Sequence, residues 1–258
     1  MQSVIEYWNA GPCGSTHGRA EEGSAEYFEN IRRQRYFVED HIPRVARFEA
    51  WAGKDVLEVG CGLGTDLMEF KGARAVGVDL TPRAVALARR RGADARVADA
   101  RSLPFPDASF DLVYSFGVIH HSPEPEKIVA EIWRVLRPGG TVIAMLYNRR
   151  SFRVIYDIVW RHGVLRAGLL RRTPSELVAH LCEARRGCPV VKLYSRREAA
   201  QLFGNVTVEA AYVHRFAEEP YRRGEFRQRW LYRLLPGFAW GALERVAGWH
   251  LIIRGTKP

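Results

Sequence analysis

Residues 56–66 read VLEVGCGLGTD, a short apolar run that contains an acid (Glu58) and closes on glycines at 60, 62 and 64. A second apolar run, AVGVD, ends in Asp79, and a third, ARVAD, ends in Asp99. Asp79 stands nineteen residues after Gly60, and Asp99 twenty after Asp79. That near-even interval sets three acids on three neighbouring strands around one ligand. The glycines let the backbone approach the ligand closely. Their spacing is G-x-G-x-G, not the G-x-G-x-x-G of dinucleotide binders, because Thr65 takes the place of the third glycine. No Gly-Lys-Ser/Thr follows, so a phosphate-cradling loop is not expected. Asp79 can accept two hydrogen bonds from ribose hydroxyls, and Asp99 one from an exocyclic amine such as adenine N6. The ligand implied is an adenosine without a phosphate.

A second group of candidates follows the fourth apolar run, FDLVYS. His120 and His121 stand where an acceptor would meet that ligand, and either could take a proton from a hydroxyl, amine or activated carbon. Tyr147, ending a fifth run (TVIAMLY), could hydrogen-bond the acceptor. Tyr7 and Trp8 near the N-terminus could cover a cationic centre with their rings.

The elements that must position these residues alternate regularly from residue 55. Strands are expected at 55–59, 74–79, 94–98, 110–115 and 141–147. Helices are expected near 64–71, from Thr81-Pro82 to Gly92, and at 124–136, with a sharp turn at Arg137-Pro138-Gly139-Gly140. Strands alternating with helices argue for a parallel sheet covered on both faces, whose ligands bind beyond the carboxyl ends of the strands. Residues 1–50 read as helical. Residues 149–190 read as two or three amphipathic helices, Ser195 to Glu198 as a capping box, and 205–213 and 249–254 as strands.

Bulk properties bound the possibilities. The 258 residues suffice for one large α/β domain, and there is no run of about eighteen apolar residues that could span a membrane. The N-terminus lacks the pattern of a secretory signal, so a cytoplasmic protein is expected. Cys13, Cys61, Cys182 and Cys188 form no CxxC pair and no cluster at metal spacing, and read as reduced thiols without a metal. Net charge is +10, and residues 149–258 hold the whole excess, with 21 Lys+Arg against 9 Asp+Glu; residues 1–148 hold 18 against 20. A basic part can meet nucleic acid, anionic lipid or an anionic small molecule. Because 34 of the 39 basic residues are Arg, genome composition is the plainer source. The basic-aromatic stretch 221–233 reads as an amphipathic cap helix.

VLEVGCGLGTD, GVDLTP, ADARSLPF, FDLVYSFGVIHH and EIWRVLRPGGTV, in this order, resemble the class I S-adenosylmethionine-dependent methyltransferases over roughly residues 50–148. The likeness is to the small-molecule branch that includes the ubiquinone/menaquinone C-methyltransferases. The resemblance implies a Rossmann-like, mostly parallel seven-stranded α/β sheet with helices on both faces and helical insertions after the fifth and sixth strands. On that reading 1–50 is an N-terminal helical lid. Residues 51–258 are the methyltransferase domain, with cap insertions at about 149–190 and 214–247.

The resemblance also implies S-adenosyl-L-methionine as cofactor. Gly60, Cys61 and Gly62 would line its methionine part, with Glu58 ordering the loop. Asp79 would bind the ribose, Leu80 the adenine face, Asp99 adenine N6 and the Ala100 backbone the ring. The Ser115 backbone would lie near the sulfonium. The expected reaction is methyl transfer to an oxygen, nitrogen or carbon of a small-molecule acceptor, anionic or lipid-like, in secondary metabolism. Two alternatives stand beside it: an RNA methyltransferase and a non-catalytic binding protein. Ser115-Phe116-Gly117-Val118 argues against nucleic acid, since amino-methylating nucleic-acid enzymes resemble an Asn/Asp-Pro-Pro-Tyr/Phe pattern there instead. Contact with a membrane surface through the basic part is a further expectation.

Overall fold

The computed structural model describes residues 2–18, 20–183, 187–211 and 236–258. Seven strands form one sheet: β1 (Asp55–Val59), β2 (Arg74–Asp79), β3 (Ala95–Val97), β4 (Phe110–Phe116), β5 (Leu136–Tyr147), β6 (Val206–Ala211) and β7 (His250–Thr256). Their order is β3-β2-β1-β4-β5-β7-β6. Strands β1 to β5 pair in parallel, and β7 lies antiparallel between β5 and β6. The direction of winding reverses between β1 and β4, so a crevice opens beyond their carboxyl ends.

Helices α1 (Gln2–Ala10), α2 (Ala25–Val38), α3 (Ile42–Ala46), α4 (Pro82–Arg90), α5 (Pro125–Val135), α6 (Pro174–Leu181), α7 (Arg196–Phe203) and α8 (Gly237–Ala247) complete the frame, with a π-wound helix at Arg153–Leu165. Two apolar layers cover the sheet. One joins Ile128, Ile132 and Val135 of α5 and Phe203 of α7 to Leu57, Val113 and Val142. The other joins Ile42, Ile158 and Leu177 to Val56, Leu112, Tyr114 and Ile143. Burial on both faces explains why these strands read as unbroken apolar runs.

Several local expectations change. The helix expected near 64–71 is a single 3-10 turn, Leu67–Glu69. It is confined between left-handed glycines, Gly64 at φ 70° and Gly72 at φ 78°, which leave no length for a stable helix. Thr81 does not cap α4 with its side chain; its hydroxyl donates to Asp79 instead. The turn at 137–140 is absorbed into β5, which already pairs at Leu136 with Phe110 and then shifts register before Thr141. The capping box of Ser195 and Glu198 forms as expected, and a second joins Thr173 to Glu176. All four cysteines are free thiols. The stretch 221–233, and most of the cap expected at 214–247, lie outside the described residues; α8 is its described part.

Candidate active site

A cavity of about 1090 Å³ opens at the carboxyl ends of β1, β2, β4 and β5. That is large for a single small ligand, since such pockets run from about 300 to 1,000 Å³. Of the nine residues expected to hold the cofactor, Glu58, Gly60, Cys61, Gly62, Asp79, Leu80, Asp99 and Ala100 line it. Ser115 does not: it is fully buried and its hydroxyl donates to the Val59 carbonyl at 3.1 Å, clamping β4 to β1. Phe116, Gly117 and Val118 line the cavity beyond it.

The glycine turn has to be glycine. Gly60 adopts φ 78°, and a Cβ there would lie 2.1 Å from Val118 Cγ2. Gly60→Ala is expected to cost about 1–3 kcal/mol in chemical denaturation, since the crowded side chain must be displaced. Asp79 holds the turn from the neighbouring strand. Its Oδ2 accepts from the Gly62 N–H at 2.9 Å, and its Oδ1 accepts from the Thr81 N–H and hydroxyl at 2.9 and 2.7 Å. A carboxylate offers about four acceptor positions, so one remains on Oδ2 for a ligand hydroxyl, rather than two. Asp99 is likewise pre-held: the Arg101 guanidinium forks onto it, with Nη2 donating to Oδ2 at 2.7 Å, and reaches on to Glu124. This clamp keeps the Asp99 carboxyl below its usual pKa.

Glu58 is buried, and its Oε2 meets no hydrogen-bond partner among the described residues. Burial, then the nearby Asp66 charge, push its pKa well up. A buried carboxylate edge on a cavity wall is a site for a cationic group. The wall as a whole has the same bias. Among the described lining residues six carboxylates (Glu39, Glu58, Asp66, Asp79, Asp99, Glu183) face two arginines, Arg35 and Arg153. An acidic cavity in a chain of net charge +10 fits a ligand carrying a sulfonium and an ammonium better than a phosphate.

The two histidines separate. His120 is fully buried, its ring 3.8 Å from that of Tyr147, and it is not among the lining residues. Burial, then the charge of His121, hold its pKa far below the ordinary value. His121 and Tyr147 do line the cavity. His121 Nδ1 faces the Val190 carbonyl at 2.9 Å and Cys188 Sγ at 3.5 Å. Its Nε2 lies 3.4 Å from Glu183 Oε1, the same oxygen that accepts from the Tyr147 hydroxyl at 2.9 Å. Burial lowers the His121 pKa, but Cys188 and Glu183 outweigh it and lift it to about 10. The Trp8 ring packs edge-on against the His121 ring, with centroids 5.0 Å apart, so α1 closes over this side. Tyr7 packs on Trp8 and is not among the lining residues.

Five participants were not foreseen from the sequence. Glu183 is sixty-two residues from His121 and sits in an ordinary amphipathic pattern, which carries no signal. Arg35 of α2 forks onto Asp66, at 2.8 and 2.7 Å, and so ties the N-terminal helices to the exit of the glycine turn. Asp66 does close the VLEVGCGLGTD motif, and that position was a signal. His250 and Trp249, at the start of β7, also reach the cavity.

Comparison with known proteins agrees with this frame. Residues 57–144 match the family "Methyltransferase domain". The 2-methyl-6-phytyl-1,4-hydroquinone methyltransferase of Synechocystis sp. is 30% identical over 171 residues, 57% of this chain and 54% of that protein. The human protein "Probable tRNA methyltransferase 9B" is 36% identical over 140 residues, 51% of this chain and 30% of that protein. The chain thus spans about half the length of the first relative and under a third of the second. The methyltransferase in a complex with the Haloferax volcanii Trm112 activator superposes with a TM-score of 0.58 at 21% identity, covering 92% of this chain and 96% of that one, which shows the shared fold. The sheet order, the glycine turn with its acids and the match over residues 57–144 are together those of an S-adenosylmethionine-dependent methyltransferase domain.

Proposed function

We propose that this chain is an enzyme that transfers the methyl group of S-adenosylmethionine to an ionisable oxygen of a small, largely apolar acceptor. The observation that carries this reading is the His121–Glu183–Tyr147 group, in the same cavity as the glycine turn and its acids. The cofactor, when bound, supplies an electrophilic methyl on a sulfonium. Glu58, Asp79 and Asp99 hold its cationic, ribose and adenine parts, while Gly60, Cys61, Gly62, Leu80 and Ala100 shape the wall. The His121–Glu183 pair takes the proton from the acceptor oxygen: Nδ1 is held by the Val190 carbonyl, while Nε2, 3.4 Å from Glu183, makes no hydrogen bond among the described residues. Glu183 fixes the ring and stabilises the imidazolium, and Tyr147 fixes Glu183 in turn. Trp8, Phe116, Leu181 and Trp249 wall off water and favour an apolar acceptor.

The likeness to a hydroquinone methyltransferase supports a phenolic or quinol acceptor. A place in secondary metabolism and in the cytoplasm belongs to the same proposal. A second reading, RNA methylation, draws on the likeness to a protein named for tRNA. The acidic cavity wall opposes it, since a polyphosphate strand would be repelled there. Incubation with radiolabelled cofactor and either alkylated hydroquinones or bulk tRNA decides the matter. Label in tRNA alone would overturn the small-molecule reading. The cofactor assignment is checked by calorimetry with S-adenosylhomocysteine. Asp79→Ala is expected to weaken it roughly ten- to hundred-fold, about 1.5–3 kcal/mol for a charged hydrogen bond; unchanged affinity would remove Asp79 from the site.

A further inference from the structure

One surface stands outside the cavity and its chemistry. The π-wound helix Arg153–Leu165 and the turn Gly168–Leu170 form a cap whose inner side lines the cavity through Arg153 and His162. Its outer side carries large apolar side chains that are exposed among the described residues. Trp160 is 50% exposed, Leu165 66% and Leu170 86%, with Ile155, Val164 and Leu169 exposed beside them. A single exposed leucine needs no explanation, but six large apolar side chains exposed within the sixteen residues 155–170 mark a contact surface.

Basic residues predominate around this group. Residues 158–175, IVWRHGVLRAGLLRRTPS, contain four arginines and no acid. Arg166, Arg171 and Arg172 are exposed. The nearest carboxylates are already engaged: Asp157 is buried against Arg161 and Arg153, and Glu176 accepts from the Thr173 N–H and hydroxyl in its capping box. Leu169, Arg171, Arg172 and Thr173 also line a shallow surface hollow. Leucine, valine and tryptophan interleaved with arginines, of which Arg166, Arg171 and Arg172 are exposed, are the composition of a helix that lies in the headgroup region of an anionic membrane. Each basic side chain there adds about five-fold in partitioning. No helix among the described residues is long and apolar enough to cross a membrane, so the contact is with the surface.

We propose that this cap rests on an anionic lipid bilayer and that the cavity behind it opens close to that surface. The proposal extends the functional reading but stands apart from it, since vesicle binding needs neither cofactor nor acceptor. The full chain is sedimented with vesicles of phosphatidylcholine alone and of phosphatidylcholine mixed with phosphatidylglycerol. It is expected to partition onto the mixed vesicles and to be released by salt. The triple variant Arg166→Ala, Arg171→Ala, Arg172→Ala is expected to lose roughly a hundred-fold in partitioning. Leu165→Ser with Leu170→Ser is expected to abolish it, and all five positions are exposed, so thermal unfolding should stay near that of the parent chain. Equal binding to neutral vesicles, no binding to either, or unchanged binding of the triple variant would each overturn the proposal. A dimer that the leucine variant dissolves, with no vesicle binding, would assign the face to a second copy instead.

Discussion

Asp66→Ala is expected to lower the unfolding free energy by about 3–5 kcal/mol, the cost of removing one partner from a buried ion pair. The carboxylate is 2% exposed and accepts four hydrogen bonds from three residues. Arg35 forks onto it, and the hydroxyls of Tyr36 and Tyr114 donate to it at 3.0 and 2.9 Å. Its removal leaves Glu39, at 3.3 Å, as the one carboxylate paired with the Arg35 guanidinium among the described residues, leaves the buried Tyr114 hydroxyl without its acceptor, and leaves the Tyr36 hydroxyl with the Thr65 carbonyl at 3.5 Å. The sign of the pH dependence follows from the same contacts. Burial raises the Asp66 pKa, but Arg35 and the hydroxyl donors outweigh it and hold it below the ordinary value. Its contribution is therefore present above the unfolded carboxylate pKa, about 3.9, and is lost as pH falls through the lower folded value. Urea unfolding should show the full deficit of the variant at neutral pH and a shrinking one as pH falls below about 4. A deficit that does not change with pH would mean packing, not charge, holds α2 to the glycine turn.

The second large effect is on catalysis. His121→Ala should reduce kcat by about 10²–10⁴-fold, the usual worth of a positioned general base. Cofactor affinity should change little. With its pKa near 10, His121 is mostly protonated in the resting site. The rate should therefore rise about tenfold per pH unit through neutrality and level off near pH 10. A phenolic acceptor has an ordinary pKa in the same range, about 10, so proton transfer between them is close to balanced. Glu183→Gln tests the positioning role. Loss of the carboxylate lets burial dominate, so the inflection should move to lower pH while the cofactor still binds. A profile unmoved by Glu183→Gln would separate Glu183 from the chemistry. The pair also contributes to stability. Because the folded His121 pKa is raised, that contribution is complete below the unfolded value of about 6.5 and is lost as pH rises through about 10.

The glycine-turn wall of the cavity was legible from the chain because it is local. Each parallel strand ends where its sequence run ends, and the residue after it must stand at the sheet's carboxyl edge. Glu58, Gly60, Asp79 and Asp99 therefore reach one crevice by strand geometry alone. Positive φ at three closely spaced positions requires glycine whatever surrounds the turn, so the motif declares itself. What lies between such positions was less legible. The run from Thr65 to Lys71 has a helical composition, yet two left-handed glycines and the Arg35 clamp on Asp66 leave it one turn.

The acceptor side was decided only by the tertiary structure. His120 and His121 are equivalent as sequence, but the turn Ile119–His121 buries one against Tyr147 and turns the other to the cavity. Its partner Glu183 arrives from a cap inserted after β5, and His250 from the last strand, sixty-two and one hundred and twenty-nine residues away. Strand and turn preferences act over a few residues and determine where the glycine turn and its acids stand on the cavity wall. Which side chains meet across the cavity depends on the packing of distant helices onto the sheet, and no local pattern encodes that.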